Sequence, residues 1–181
     1  MTISRPALAY LAAGLTMSAI GASADEPTHA DDFVSKLITV SERSNAALMQ
    51  GDAATYMTLV KIADDFTLMS PFGGEPSRGG EYTPERIERM GRFFRNGSFA
   101  MEMVGSYASK DIVVLALIER SNVEVGNLPA QDWALRVTLV YRRVGSRWEL
   151  VHRHADPLVD PVDLGQAAAL ARGERQKTAD R

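Results

Sequence analysis

The chain has 181 residues, 45% of them apolar, enough for one domain with its own core. Its 20 basic and 23 acidic side chains leave a formal charge of −3, which gives no reason to expect nucleic acid or an anionic membrane surface as a partner. Cysteine is absent, which excludes disulfides, thiol chemistry and cysteine-ligated metals.

The first residues carry a targeting pattern. Arg5 precedes an apolar run from Ala7 to Ile20, and Gly21-Ala22-Ser23-Ala24 supplies small residues at a cleavage position. That is the signature of a signal peptide over 1–24, cut before Asp25. The run is too short to span a bilayer comfortably. The expectation is an exported protein, periplasmic or secreted, with no membrane contact after cleavage. A domain over 25–160 and a tail over 161–181, partly helical or disordered, follow.

Asp31 or Asp32 is placed to cap a helix whose apolar stripe is Phe33, Leu37, Val40 and Leu48. Ser44 falls on the same stripe, where its hydroxyl either bonds its own backbone or looks into a cavity. Gly51 ends this helix and Asp52 caps the next. Tyr56, Leu59, Val60 and Ala63 form the inner stripe of the second helix, Asp64-Asp65 close it, and Phe66 to Met69 make a short strand. A loop rich in Gly and Pro follows from Ser70 to about Tyr82. Thr83-Pro84-Glu85 starts a third helix with Ile87, Met90 and Phe94 inward, stopped by Asn96-Gly97.

From Phe99 the period changes to two. Phe99, Met101 and Met103 share a face, Ser109 to Asp111 turn the chain, and Ile112 to Ile118 read as a central strand ended by Glu119 and Arg120. A loop spans Ser121 to Gln131. A β-hairpin covers Trp133 to Asp156, with Trp133, Leu135, Val137, Leu139 and Tyr141 on one face and Val144-Gly145-Ser146 at the turn. In its second strand Trp148, Leu150, His152 and His154 fall in phase. A short helix follows over Gln166 to Arg172. Consecutive strands need a cover for their apolar face, and the early helices are the available one. The fold class is α+β, a curved antiparallel sheet wrapped as a cone over N-terminal helices.

With that order of elements in place, "ALMQGDAATYMTLV" (47–60), "DDFTLMSPFGGEPSRG" (64–79) and "WELVHRHADPLV" (148–159) resemble the nuclear transport factor 2-like superfamily. SnoaL-like and DUF4440-type proteins are the nearer relatives and ketosteroid isomerase a distant one. The resemblance covers roughly 31–159. It implies a cystatin-like cone, a homodimer built through the sheet, and a pocket at the open end. The catalytic aspartate of the steroid isomerases corresponds to Ser70 here, their helical oxyanion-hole tyrosine to Ser44, and Trp133 to Tyr141 contains no acid. A serine without a base cannot take a carbon-bound proton at neutral pH, so that chemistry is argued against.

The candidate site residues are Tyr56, Ser70, Arg120, Trp133, Arg136, His152 and His154. Arg136 interrupts an apolar strand, and either clamps a carboxylate ligand or pairs with Glu102 or Glu119. Arg120 binds ligand or snorkels to water. His152 and His154 hydrogen-bond at a pocket wall or dimer surface, act as general acid or base, or join Asp156 in a His-x-His-x-Asp metal site. The reading preferred is a pocket for a small, partly apolar organic molecule, with no metal and no cofactor. The alternative is a cofactor-independent isomerase, lyase or hydrolase using a histidine. A purely structural dimer is the third possibility.

Overall fold

The structure is a computed structural model and describes residues 29–173. The signal-peptide pattern and the last eight residues of the tail lie outside the described residues. Among these, no helix is long and apolar enough to cross a membrane.

Helix α1 (His29–Met49) and helix α2 (Ala53–Leu59) meet at Gly51 and Asp52. Gly51 sits at φ +89°, a left-handed turn that a side chain resists, and a Cβ there would meet the Gly91 carbonyl oxygen at 2.9 Å. The Asp52 carboxylate accepts from the Thr55 N–H and starts α2. Strand β1 (Ile62–Met69) begins four residues before the point that the Phe66 signal suggested, so Ala63, Asp64 and Asp65 belong to a strand rather than to α2. Its residues lie beside the last strand, and tertiary pairing overrides the local helical pattern. The long loop contains a two-residue strand β2 (Ser77–Arg78) and a 3₁₀ turn at Gly79–Glu81. Helix α3 (Pro84–Phe93) starts on the Thr83 cap as expected.

Four long strands follow: β3 (Phe94–Ala108), β4 (Ile112–Val125), β5 (Gln131–Val144) and β6 (Arg147–Pro157). Two are longer than the sequence pattern indicated. Asn96, at φ 52°, and Gly97 make an irregularity inside β3 instead of ending α3. Strand β4 does not stop at Glu119, because Ser121, Val123 and Val125 continue its inward phase, the first two paired with β5 and Val125 with Phe94 of β3. The tail forms helix α4 (Leu164–Ala171), capped reciprocally by Asp163 and Gln166.

All six strands form one sheet in the order β2-β1-β6-β5-β4-β3. Every pairing is antiparallel except β1 with β6, which is parallel. Helices α1 and α2 lie on the inner face, and the core fills the space between: Leu37, Leu48, Tyr56 and Phe66 against Val113, Leu115, Leu117, Leu139 and Leu150. Ser44 donates to the Ser41 carbonyl oxygen, three residues back, so its hydroxyl is satisfied by its own helix. The buried Ser41 hydroxyl bonds both the Leu37 carbonyl and the Tyr141 hydroxyl, at 2.8 Å each, and ties α1 to β5.

One irregularity decides the chemistry of each face. Tyr141 pairs with Leu150 and Val140 with His152, so Val151 is an extra residue in β6. A β-bulge of this kind reverses the direction of every side chain beyond it. Before Val151 the even-numbered Trp148 and Leu150 point inward. Beyond it Arg153 and Ala155 point inward, opposite Leu139 and Val137. His152, His154 and Asp156 point outward.

Candidate pocket between the helices and the sheet

A hollow of about 210 Å³ lies at the end of the cone where β5 begins. Leu48 and Met49 of α1, Tyr56 of α2, Leu68 of β1, Met90 and Phe93 of α3, and Leu135 of β5 supply most of its wall. The wall is mainly apolar, as ligand pockets are. Phe72 lies across the mouth. Its ring stands edge-on to Phe93 at 5.6 Å and tilted against Trp133 at 5.6 Å, so the 70–76 loop, α3 and β5 share one aromatic rim.

The floor is polar. Arg153 comes inward because of the bulge, and Glu119 comes inward because it is in phase with Val113, Leu115 and Leu117. The two form a bidentate pair, Nη1 to Oε1 at 2.7 Å and Nη2 to Oε2 at 2.6 Å. Burial alone would depress the Arg153 pKa, but the charge and hydrogen bonds of Glu119 outweigh it and hold the guanidinium above its ordinary value. It stays charged at every physiological pH.

Three of the five guanidinium N–H groups of Arg153 make no hydrogen bond to a described residue, and the Tyr56 hydroxyl makes none either. Among the described residues no fully buried side-chain nitrogen or oxygen lacks a partner, so the two atoms that have none, Arg153 Nε and the Tyr56 hydroxyl oxygen, are not sealed off in the packing. Both residues line the hollow. Asn45 gives its amide N–H to the Ser41 carbonyl and lines the same space. Burial pushes the Tyr56 phenol above its usual range, only partly opposed by Arg153, so it is a hydrogen-bond donor at neutral pH. Tyr82 is pushed upward for the same reason.

Three of the residues singled out in the sequence meet at this hollow: Tyr56, Trp133 and Ser70. Ser70 Oγ is occupied, accepting from the Phe72 N–H at 3.2 Å. The other four do not line it. Arg136 lies on the outer face of the sheet and pairs with Asp156 rather than with Glu102 or Glu119. His152 and His154 are on that outer face as well, and the His152 Nδ1 lies 2.6 Å from Thr67 Oγ1. Arg120 borders a shallow neighbouring cleft with Ser98, Asn122 and Asp132, and reaches Glu102 at 3.8 Å. The expectation of inward His152 and His154 counted alternation straight through Val151, and the bulge reverses it; Arg136 points outward by the plain alternation of β5, between the inward Leu135 and Val137.

Glu119, Arg153, Asn45, Phe72 and Phe93 were missed. For Glu119 a signal was present. An acid in phase with three inward aliphatic residues of one strand demands a buried cation. Nothing local in the sequence marks Val151 as the bulge that delivers that cation.

A model of the SnoaL-like domain family matches residues 38–160, more than half of the chain. The protein belongs to this family. No curated protein matches it. Among solved structures, this SnoaL-like domain is similar to a nuclear transport factor 2-like superfamily protein from Salmonella enterica, with TM-score 0.59, 14% identity, and coverage of 75% of this chain and 98% of that one. It is also similar to a protein of unknown function with a cystatin-like fold from Nostoc punctiforme, with TM-score 0.54, 16% identity, and coverage of 71% and 91%. A third is a nuclear transport factor 2-like protein of unknown function in nutrient uptake from Rhodospirillum rubrum, with TM-score 0.53, 22% identity, and coverage of 68% and 98%. At these identities the likeness establishes the cone fold and no activity.

Proposed function

We propose that this SnoaL-like domain is an exported binder of a small, partly apolar organic molecule, held in the hollow between helices and sheet. The observation that carries the reading is the conjunction of unused donors with an enclosed apolar space. Arg153 and Tyr56, each with a donor atom that has no partner, line a cavity rimmed by Phe72, Phe93 and Trp133. A core built for packing alone has no use for donors left without partners, because each costs free energy unless something accepts from it.

Acid–base catalysis by a histidine finds no support at this site, since His152 and His154 lie on the other side of the sheet. Glu119, the carboxylate in the floor, has both oxygens engaged by Arg153. Export rests on the pattern of residues 1–24. We also read the protein as a homodimer through the outer face of the sheet, which leaves Val104 and Tyr107 exposed on β3. Light scattering at micromolar concentration tests that reading; a monomer at all concentrations removes it.

The chain has two tryptophans, Trp133 at the pocket and Trp148 packed on Phe33 at the opposite end of the hairpin. Their indole N–H resonances separate pocket binding from general effects. A set of single-ring and bicyclic organic fragments should contain members that shift the Trp133 resonance saturably and leave Trp148 in place. Fragments that move neither signal, or both equally, count against the pocket.

A further inference from the structure

We infer that the pocket selects ligands whose buried end is a neutral hydrogen-bond acceptor, a ketone, aldehyde or amide carbonyl, on a single-ring body, and that the Arg153–Glu119 pair rejects carboxylates of the same shape. The inference rests on the pocket being a binding site and adds the chemistry of its ligand.

Charge accounting carries the first part. An arginine in a pocket floor ordinarily suggests an anionic ligand. Here both arginines that line the hollow already hold a carboxylate. Arg153 holds Glu119 in the floor, and Arg86, near the mouth, holds Glu81 at 2.7 Å while its guanidinium lies over the Tyr82 ring. The site is therefore neutral overall although it is rich in N–H donors. A ligand carboxylate would lose its hydration and meet Glu119 as well as Arg153. Desolvation then stands without a free counter-charge to offset it.

A neutral carbonyl loses far less hydration, and it finds two kinds of donor. Arg153, whose Nε–H has no partner, and Tyr56, whose hydroxyl has none, both line the hollow. Tyr56 is a donor with no internal acceptor, and its phenol does not ionise near neutral pH. Glu119 thus acts as a positioning residue and a screen. It fixes the guanidinium plane by two hydrogen bonds and cancels its charge, leaving its hydrogen-bonding capacity exposed.

Size carries the second part. An apolar cavity of roughly 150 Å³ takes up benzene. The volume here is about 210 Å³, which leaves room for one ring and a short polar substituent. Phe72, Phe93 and Trp133 provide ring faces and edges at the mouth for such a body.

The test compares probes of nearly equal shape, acetophenone and benzamide against benzoate at neutral pH, read by titration of the Trp133 indole resonance in the intact protein. Acetophenone and benzamide should bind more tightly than benzoate by roughly tenfold or more, the scale set by burying a charge without a partner. The charge screen is tested directly in E119Q, which leaves Arg153 cationic and uncompensated. There the preference should narrow by roughly tenfold or invert toward benzoate. In Y56F, acetophenone should weaken while the folded spectrum stays the same. Because E119Q loses stability, the wild-type comparison decides the matter if that variant does not fold.

Benzoate binding wild type as well as acetophenone does, with Trp133 shifting for both, overturns the selectivity and leaves the pocket standing. Neither probe shifting Trp133 overturns the selectivity and the pocket reading together. An unchanged preference in folded E119Q removes Glu119 as the screen.

Discussion

Two arginine–carboxylate pairs that involve strand β6 lie on opposite faces of the sheet, and their settings differ sharply. The inner pair, Arg153 with Glu119, has side chains 15% and 6% exposed. The outer pair, Arg136 with Asp156, has side chains 59% and 39% exposed. Both are guanidinium–carboxylate pairs with two hydrogen bonds, although Arg153 uses its two terminal nitrogens and Arg136 uses Nε and one terminal nitrogen. Water surrounds the outer pair, screens it and competes for its hydrogen bonds, so its net contribution is small. The inner pair has lost most of its water, so each partner depends on the other. Only the inner pair also borders an enclosed space where a ligand could use the remaining donors. A residue type alone therefore says little about role; the face decides it.

The largest expected break in this comparison is E119A. It leaves Arg153 charged in a mostly apolar surrounding and should lower the unfolding free energy by roughly 3 to 5 kcal/mol in a denaturant titration. A loss below about 1 kcal/mol would show that water enters the hollow freely enough to replace the carboxylate. The double variant E119L/R153M sharpens the point. Replacing the whole pair by aliphatic groups of similar bulk should restore parental stability or exceed it, while pocket binding is lost. A double variant as unstable as E119A would show that the pair contributes favourably as a unit.

Y141F isolates a neutral buried bond. It removes the hydroxyl contact to Ser41, which keeps its bond to the Leu37 carbonyl, and should cost about 1 kcal/mol. On the outer face, partial burial and the neighbouring His154 lower the pKa of His152 below the ordinary imidazole value. A lowered pKa means the unfolded chain binds the proton more readily. Stability from this group is then complete above about pH 6.5, the unfolded value, and is lost as pH falls through the lower folded value. A melting-temperature series from pH 8 to 5 should show this limb in wild type and lose it in H152Q. The smallest effect is that of R136A, for which no resolvable change in the stability of the single chain, measured at a concentration below dimer formation, is expected in low or high salt. A clear loss there would show that another surface covers the outer face.

Much of the scaffold was legible in the chain. The Asp52 cap, the Thr83-Pro84-Glu85 helix start and the Gly145 turn depend on neighbouring residues only, and each stands where local chemistry puts it. The β5 pattern from Trp133 to Tyr141 likewise identifies its inner face, because period-two alternation needs no knowledge of the partner strand. Legibility failed where a partner was needed. The start of β1 at Ile62 and the continuation of β4 to Val125 are set by pairing with strands distant in sequence. The candidate site divided the same way. Tyr56 and Trp133 were visible as large amphipathic residues on inward stripes, whereas Arg153 was hidden by parity.

What the sequence by itself determined is the set of elements, their order and the apolar faces that must be buried, because caps, turns and periodicity act over a few residues. Only the tertiary structure decided which charged side chains enter the cone. The register of β6 against β5 accommodates Val151 as an unpaired residue, and a sheet has a side-chain period of two. One extra residue therefore exchanges the histidines for Arg153 on the inner face, beside the Glu119 that its burial requires.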